Sequence, residues 1–216
     1  MLALFVSLGQ WQGRRAEEKR VLQATLEARQ AESPVVLTGA VRDAEPLLFR
    51  RVRVRGVYLG EKQLFIDNRI HEGQAGFEVV TPLRISGAPD SVLVDRGWIA
   101  RDAAIYPRHP AVAVPAGEVE VAGLAIQPPR RVLELSGDTV EGDTWQNLHV
   151  DRVAKATGLA LLPLVVLADP PGAGLAGAHE RPDTGMEKHL EYRLTWYALA
   201  VTTLVLWLVL NGKRTP

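Results

Sequence analysis

The sequence predicts an α+β, β-rich fold: an antiparallel β barrel or sandwich with short helices, flanked by two transmembrane helices, the first of them incomplete. Three observations predict it. Leu194 to Leu210 is a run of 17 residues without a charged side chain. With Tyr192 and the aliphatic stem of Arg193 it approaches the ~20 residues that cross ~30 Å of hydrocarbon. The middle of the chain breaks into runs of alternating apolar and polar residues bounded by Gly, Pro, Asn and Asp, the sign of half-buried strands. A further apolar run opens the chain.

That opening run, MLALFVSLGQW, has 11 residues, which at ~1.5 Å each cover about half the bilayer core. It lacks the basic region and small-residue cleavage site of a secretory signal. Residues 1–12 are therefore expected to be part of an anchor, with about ten further apolar residues encoded upstream. Residues 13–31 follow as a helical extension: Val21, Leu22 and Leu26 recur at helical spacing among charges, and Glu32-Ser33-Pro34 stops the pattern.

Residues 34–168 form the β-rich domain. RVRVRGVY, from Arg51, alternates Arg51, Arg53 and Arg55 with Val52 and Val54, a strand with its arginines outward. QLFIDNR, GFEVVTPL, SVLVDRGWIA and GEVEVAGLAI read as further strands, with Pro82 at a strand end or sheet edge. VDRVAKAT is a short helix from Val150 stopped at Gly158, and LALLPLVVLA a last apolar strand broken by Pro163. Residues 169–188 have the composition of a mobile loop. Residues 189–211 are the second transmembrane helix, with Trp196, Tyr197 and Trp207 near its ends, where amphipathic rings favour the headgroup boundary. Lys213 and Arg214 in the tail 212–216 argue for a cytoplasmic C-terminus, which puts the central domain outside the cytoplasm.

Composition excludes several kinds of chemistry. The chain has 25 basic and 25 acidic residues, so no overall field draws in nucleic acid; membrane lipid is the expected surroundings. Cysteine is absent, which rules out disulfides, thiolate nucleophiles and cysteine metal sites. No G-x-S-x-G elbow occurs, and His71 begins IHEG rather than H-E-x-x-H. His71, His109, His149 and His179 read as surface or loop residues. Arg69 in DNR and Arg96 in VDRGW follow a carboxylate or amide at a strand end. Shielded ion pairing is the first reading for both, a bidentate clamp for an anion the second.

His189 is different. At ~100° per residue, His189, Tyr192, Trp196, Ala200, Thr203 and Trp207 fall within about 80° of one another on the helix. One stripe combines an imidazole, flat rings and room between them. An imidazole is the commonest protein ligand to haem iron. The same stripe equally suits plain packing against the first anchor, and the residues alone leave both readings open.

The motifs WQGRRAEEKRVL, RRVRVRGVY, DNR, GFEVVTPL, LVDRGWI and HLEYRLTWYALA occur in one order along nearly the whole chain. In this the chain resembles the surfeit-locus protein one family, membrane-bound assembly factors of haem-copper cytochrome oxidase. Gly13, where an apolar residue is usual, and Ala100, where proline is common, depart from its pattern. The resemblance implies a bacterial inner (cell) membrane protein with a β-rich outer domain, and no enzyme. Its role would be to handle haem a for insertion into oxidase subunit I, with that subunit and the haem a synthesis machinery as partners and His189 as the axial ligand that binds the cofactor's metal. Arg193 is near enough in sequence to meet a haem propionate. The alternative is a haem-free scaffold that stabilises oxidase subunits during assembly.

Overall fold

The structure is a computed structural model; it describes residues 1–128, 140–177 and 186–212. The chain divides into two compact units, one made of Met1–Ala28 with Glu180–Pro216 and the other of Arg29–His179.

The first unit is helical. Helix α1 spans Leu2–Ala31 without a break, so the apolar opening and the charged extension form one element. Helix α3 spans Met186–Asn211. Among the described residues α3 is the one helix long and apolar enough to cross a membrane, over Lys188–Asn211, 24 residues. The second of the two expected spans is thus present by length and composition, and the first is not confirmed as a span. In α1 the 12 residues Leu2–Gly13 that precede Arg14, Arg15, Glu17 and Glu18 carry no charge, short of the ~20 apolar residues of a full span.

The second unit is a β barrel with additions. Its strands are β1 Val35–Leu37, β2 Arg51–Tyr58, β3 Leu64–His71, β4 Gln74–Ile85, β5 Ser91–Ala100, β6 Glu118–Ile126, β7 Val140–Glu141, β8 Thr144–Trp145 and β9 Leu161–Ala168. They hydrogen-bond in the order β1-β2-β6-β9-β5-β4-β3-β8-β7, and β2 also pairs with β4. That extra pairing, Gly56 with Ile85 through Tyr58 with Leu83, closes β2, β6, β9, β5 and β4 into a five-stranded barrel. Closure removes the unpaired edges that would otherwise template aggregation.

Alternation places the core as the sequence indicates. Val52 and Val54 are buried while Arg51, Arg53 and Arg55 are exposed, each within 4 Å of an acidic partner at Asp169, Glu120 and Glu118. Ile85, Val92, Val94, Leu164 and Val166 join the two valines in the main apolar cluster.

Three expectations are corrected. The sheet is mixed rather than antiparallel: within the barrel β5 pairs parallel with β9, and beyond it β1 pairs parallel with β2 and β3 with β8. A parallel neighbour needs a long crossover, and the segment between β6 and β9 supplies it, including helix α2, Val150–Thr157, which buries Val153 completely. Secondly, Pro82 lies inside β4. On one side β4 pairs with β3 up to Val80 and with β2 from Leu83, and the Pro82 carbonyl accepts from Leu59 N–H at 2.8 Å on that same side. The missing N–H falls at the seam between two partners, where the ladder asks for no donor. Pro163 likewise lies inside β9, in the irregular stretch where the register with β5 shifts and before pairing with β6 begins at Val165.

Thirdly, the first part of the expected mobile loop is fixed. Gly172 N–H donates to the Arg96 carbonyl at 2.7 Å, and Trp98 and Ala176 exchange two backbone bonds of 2.8 Å. Residues 178–185 of that loop, His179 among them, and Lys213 with Arg214 lie outside the described residues, while Met186, Glu187 and Lys188 already belong to α3.

Candidate functional site

In the helical unit, Phe5, Gly9, Gln12, Gly13 and Ala16 are the better-covered residues of the first half of α1. Their spacing of three and four is that of a packing seam. Small residues at Gly9 and Gly13 let the backbones approach: a Cβ at Gly9 would lie 2.5 Å from Tyr197 Cε1, and one at Gly13 would lie 3.4 Å from Arg193 Cδ. Phe5 stacks on Trp196 with ring centroids 5.9 Å apart and planes 23° from parallel. The two helices therefore run antiparallel, with Phe5 against Trp196 at one level and Gln12 against His189 at another.

At that second level His189 Nδ1 lies 2.7 Å from Gln12 Oε1. Gln12 is buried and His189 half-buried. Among the described residues His189 Nε2 has no hydrogen-bond partner, and no group of three His, Asp or Glu side chains gathers around a common point. Arg193 is exposed, with its guanidinium 5.7 Å from the centre of the Tyr197 ring.

The predicted stripe is divided by this packing. Ala200 is buried and His189, Trp196 and Thr203 are partly covered, whereas Tyr192 and Trp207 are 57% and 60% exposed. Tyr197, outside the stripe, packs over Gly9 of α1. Periodicity located the face but not its edges, because the seam repeats every seven residues and the stripe was drawn wider. Gln12 was missed as a partner of His189. The signal for it was a glutamine inside an apolar run, since a polar side chain in such a helix needs a partner on another one.

The barrel unit carries a second polar cluster. Arg96, 2% exposed, donates to Gln63 Oε1 at 2.8 Å and to the Ala113 carbonyl at 2.7 Å, with its guanidinium 5.3 Å from the Tyr58 ring centre. Burial lowers the Arg96 pKa and raises that of Tyr58. Next along β5, Asp95 is buried and accepts from Gly97 N–H at 3.0 Å. Burial and the nearby Glu78 carboxylate push its pKa well up, while Arg69 and the Gly97 bond pull it down. Arg69 pairs with Glu78 at 3.1 Å, and burial raises the Glu78 pKa against that pairing.

Both arginines are thus committed to the protein's own groups. Arg96, buried with both terminal nitrogens bonded, has no open face for an external anion, whereas Arg69 pairs with Glu78 through Nε and keeps about a third of its side chain exposed. Of the histidines, His71 packs beside Trp98, with ring centres 5.2 Å apart. His149 precedes α2 as its N-cap residue. His109 is less peripheral than the sequence suggests: it stacks on Phe65 at 3.3 Å between ring centres and faces Asp143 at 3.0 Å.

The sequence profile of the SURF1 family matches residues 1–201. The chain belongs to that family. It is 28% identical over 220 residues to a SURF1-like protein of Monosiga brevicollis, covering 95% of this chain and 83% of that one. It is 29% identical over 227 residues to Surfeit locus protein 1 of Mus musculus, covering 97% and 72%. A bacterial relative, the SURF1-like protein of Rickettsia conorii, is 25% identical over 220 residues, covering 97% and 88%. The SURF1 match takes in Gln12, the whole barrel and α3 as far as Val201, so the helical seam belongs to the family's common portion.

Proposed function

We propose that this chain is a membrane-bound assembly factor for haem-copper cytochrome c oxidase, which holds haem a through His189 and passes it towards subunit I. The observation that carries the reading is the state of His189 in the first turn of the candidate span. Its ring is half-buried and anchored at one nitrogen, and its other nitrogen is unpartnered among the described residues. An imidazole of this kind suits haem iron, and at the edge of the span, outside the hydrocarbon, it binds metal without burying a charge in lipid.

The surrounding side chains suit the same cargo. Tyr192, 57% exposed on the same helix, offers a flat face, and the exposed Arg193 provides a cation for an anionic propionate. Haem a, as cargo, brings an iron that accepts one axial nitrogen. A single ligand on a helix boundary favours release over retention, which suits a carrier that breaks no covalent bond. The reading places the protein in the bacterial inner membrane, with the barrel outside the cytoplasm and the haem a synthesis machinery and subunit I as its partners.

Purifying the full chain from membranes that make haem a tests it. The wild type is expected to carry a haem absorbance band and His189→Ala to lose it while remaining in the membrane. A colourless wild type under haem a synthesis overturns the carrier and leaves a haem-free scaffold for oxidase subunits.

A further inference from the structure

We infer that Gln12 is a positioning residue for His189: its amide oxygen takes the proton on Nδ1 and so presents the lone pair on Nε2 outward from the helix pair. The inference rests on the haem-carrier reading for its purpose, but its first consequence is measurable without haem.

His189 Nδ1 and Gln12 Oε1 are 2.7 Å apart across 177 residues of sequence. An amide oxygen accepts and never donates, so Nδ1 must carry the hydrogen. A neutral imidazole has one proton, so Nε2 then holds the lone pair. The other tautomer would place its lone pair against the acceptor oxygen and leave Nε2 protonated, unable to bind a metal.

The partner is fixed in place. Gln12 is buried in the seam between Gly9 and Ala16, where the glycines hold α1 close to Tyr197 and Arg193. The hydrogen bond therefore also limits rotation of the imidazole about its χ2 angle. A second acceptor on the far nitrogen of a metal-binding histidine orients the ring and strengthens the ligand, and its loss lowers metal affinity by ~10–100-fold. A neutral amide does this more weakly than a carboxylate, because it does not draw the proton off Nδ1. That choice fits a ligand which must let its cargo go.

The test uses the full chain in detergent, with histidine ring nitrogens labelled and the His189 signals assigned by their absence in His189→Ala. In the haem-free wild type, at a pH where the ring is neutral, nitrogen NMR should show a protonated Nδ1 and an unprotonated Nε2. Gln12→Leu should lose that preference and bind added haem about tenfold more weakly. Gln12→Glu restores an acceptor, and should recover the tautomer and shift the midpoint potential of bound haem to more negative values.

A protonated Nε2 in the wild type, or a tautomer and haem affinity unchanged in Gln12→Leu, overturns the inference. Circular dichroism on each variant separates loss of the helix pair from loss of the contact, and the Gln12→Glu recovery does so independently. If the wild type shows the expected tautomer but takes up no haem, the role of Gln12 holds and the carrier reading fails.

Discussion

Replacing Gly56 with alanine should open the barrel. Gly56 begins the pairing of β2 with β4 that closes the sheet, and a Cβ there would sit 2.1 Å from the Arg84 carbonyl oxygen and 2.9 Å from its carbon. Both obstacles are backbone, so no side chain can swing away. The strands must part by at least about 1 Å for a Cβ to fit. Two bonds frame this seam, Ser86 N–H to the Arg55 carbonyl at 2.9 Å and Leu59 N–H to the Pro82 carbonyl at 2.8 Å, and an added 1 Å takes both beyond hydrogen-bonding range.

Losing them costs ~1 kcal/mol each, and the strain of overpacking adds ~1–3 kcal/mol. The sum, roughly 3–5 kcal/mol, is a large part of the ~5–15 kcal/mol that holds a typical domain. A unit of this size should then melt on the order of 10 °C lower. Thermal denaturation of the detergent-solubilised full chain, followed by near-UV circular dichroism, reads the change. Gly73→Asn is the control: a Cβ at Gly73 meets nothing within 4 Å, and asparagine tolerates its positive φ. If Gly56→Ala melts within about 2 °C of that control, the closed seam is not holding the barrel together.

Two further predictions concern the buried polar cluster. Asp95 has a folded-state pKa well above its unfolded value, so its contribution to stability is fully present below the unfolded value near 3.8 and is lost as pH rises through the folded value; Asp95→Asn, neutral throughout, should gain stability over the wild type at pH 7 and lose that advantage on acidification, as urea titrations at several pH values would show. Arg96→Lys should lower stability by ~1–3 kcal/mol, because an ammonium cannot replace the planar fork that reaches Gln63 and Ala113 together beside the Tyr58 ring; Arg53→Lys, on the exposed face, should be near neutral in the same melts.

The sequence by itself determined the local elements. Alternation identified β2, because a side chain in a strand takes one face or the other and the burial pattern of Arg51–Tyr58 follows the letters directly; β-rich runs bounded by Gly, Pro, Asn and Asp identified β3, β4, β5 and β6. Hydrophobic length identified α3, because a bilayer sets the span. His189 was legible as an isolated imidazole at the edge of that span, and the six ordered motifs as a family resemblance.

Tertiary structure decided how those elements are joined. Nothing local states that β2 returns to β4 and closes a barrel, that β9 runs parallel to β5, or that Pro82 falls at a seam where its missing donor does no harm. Register and strand order depend on contacts between residues far apart, which no window of sequence contains. The same holds at the helices: Gln12 and His189 lie 177 residues apart, and only the folded pair brings an amide oxygen to one nitrogen of the ring. Periodicity could draw the face of α3. Which nitrogen that face presents was fixed by a hydrogen bond from the other helix.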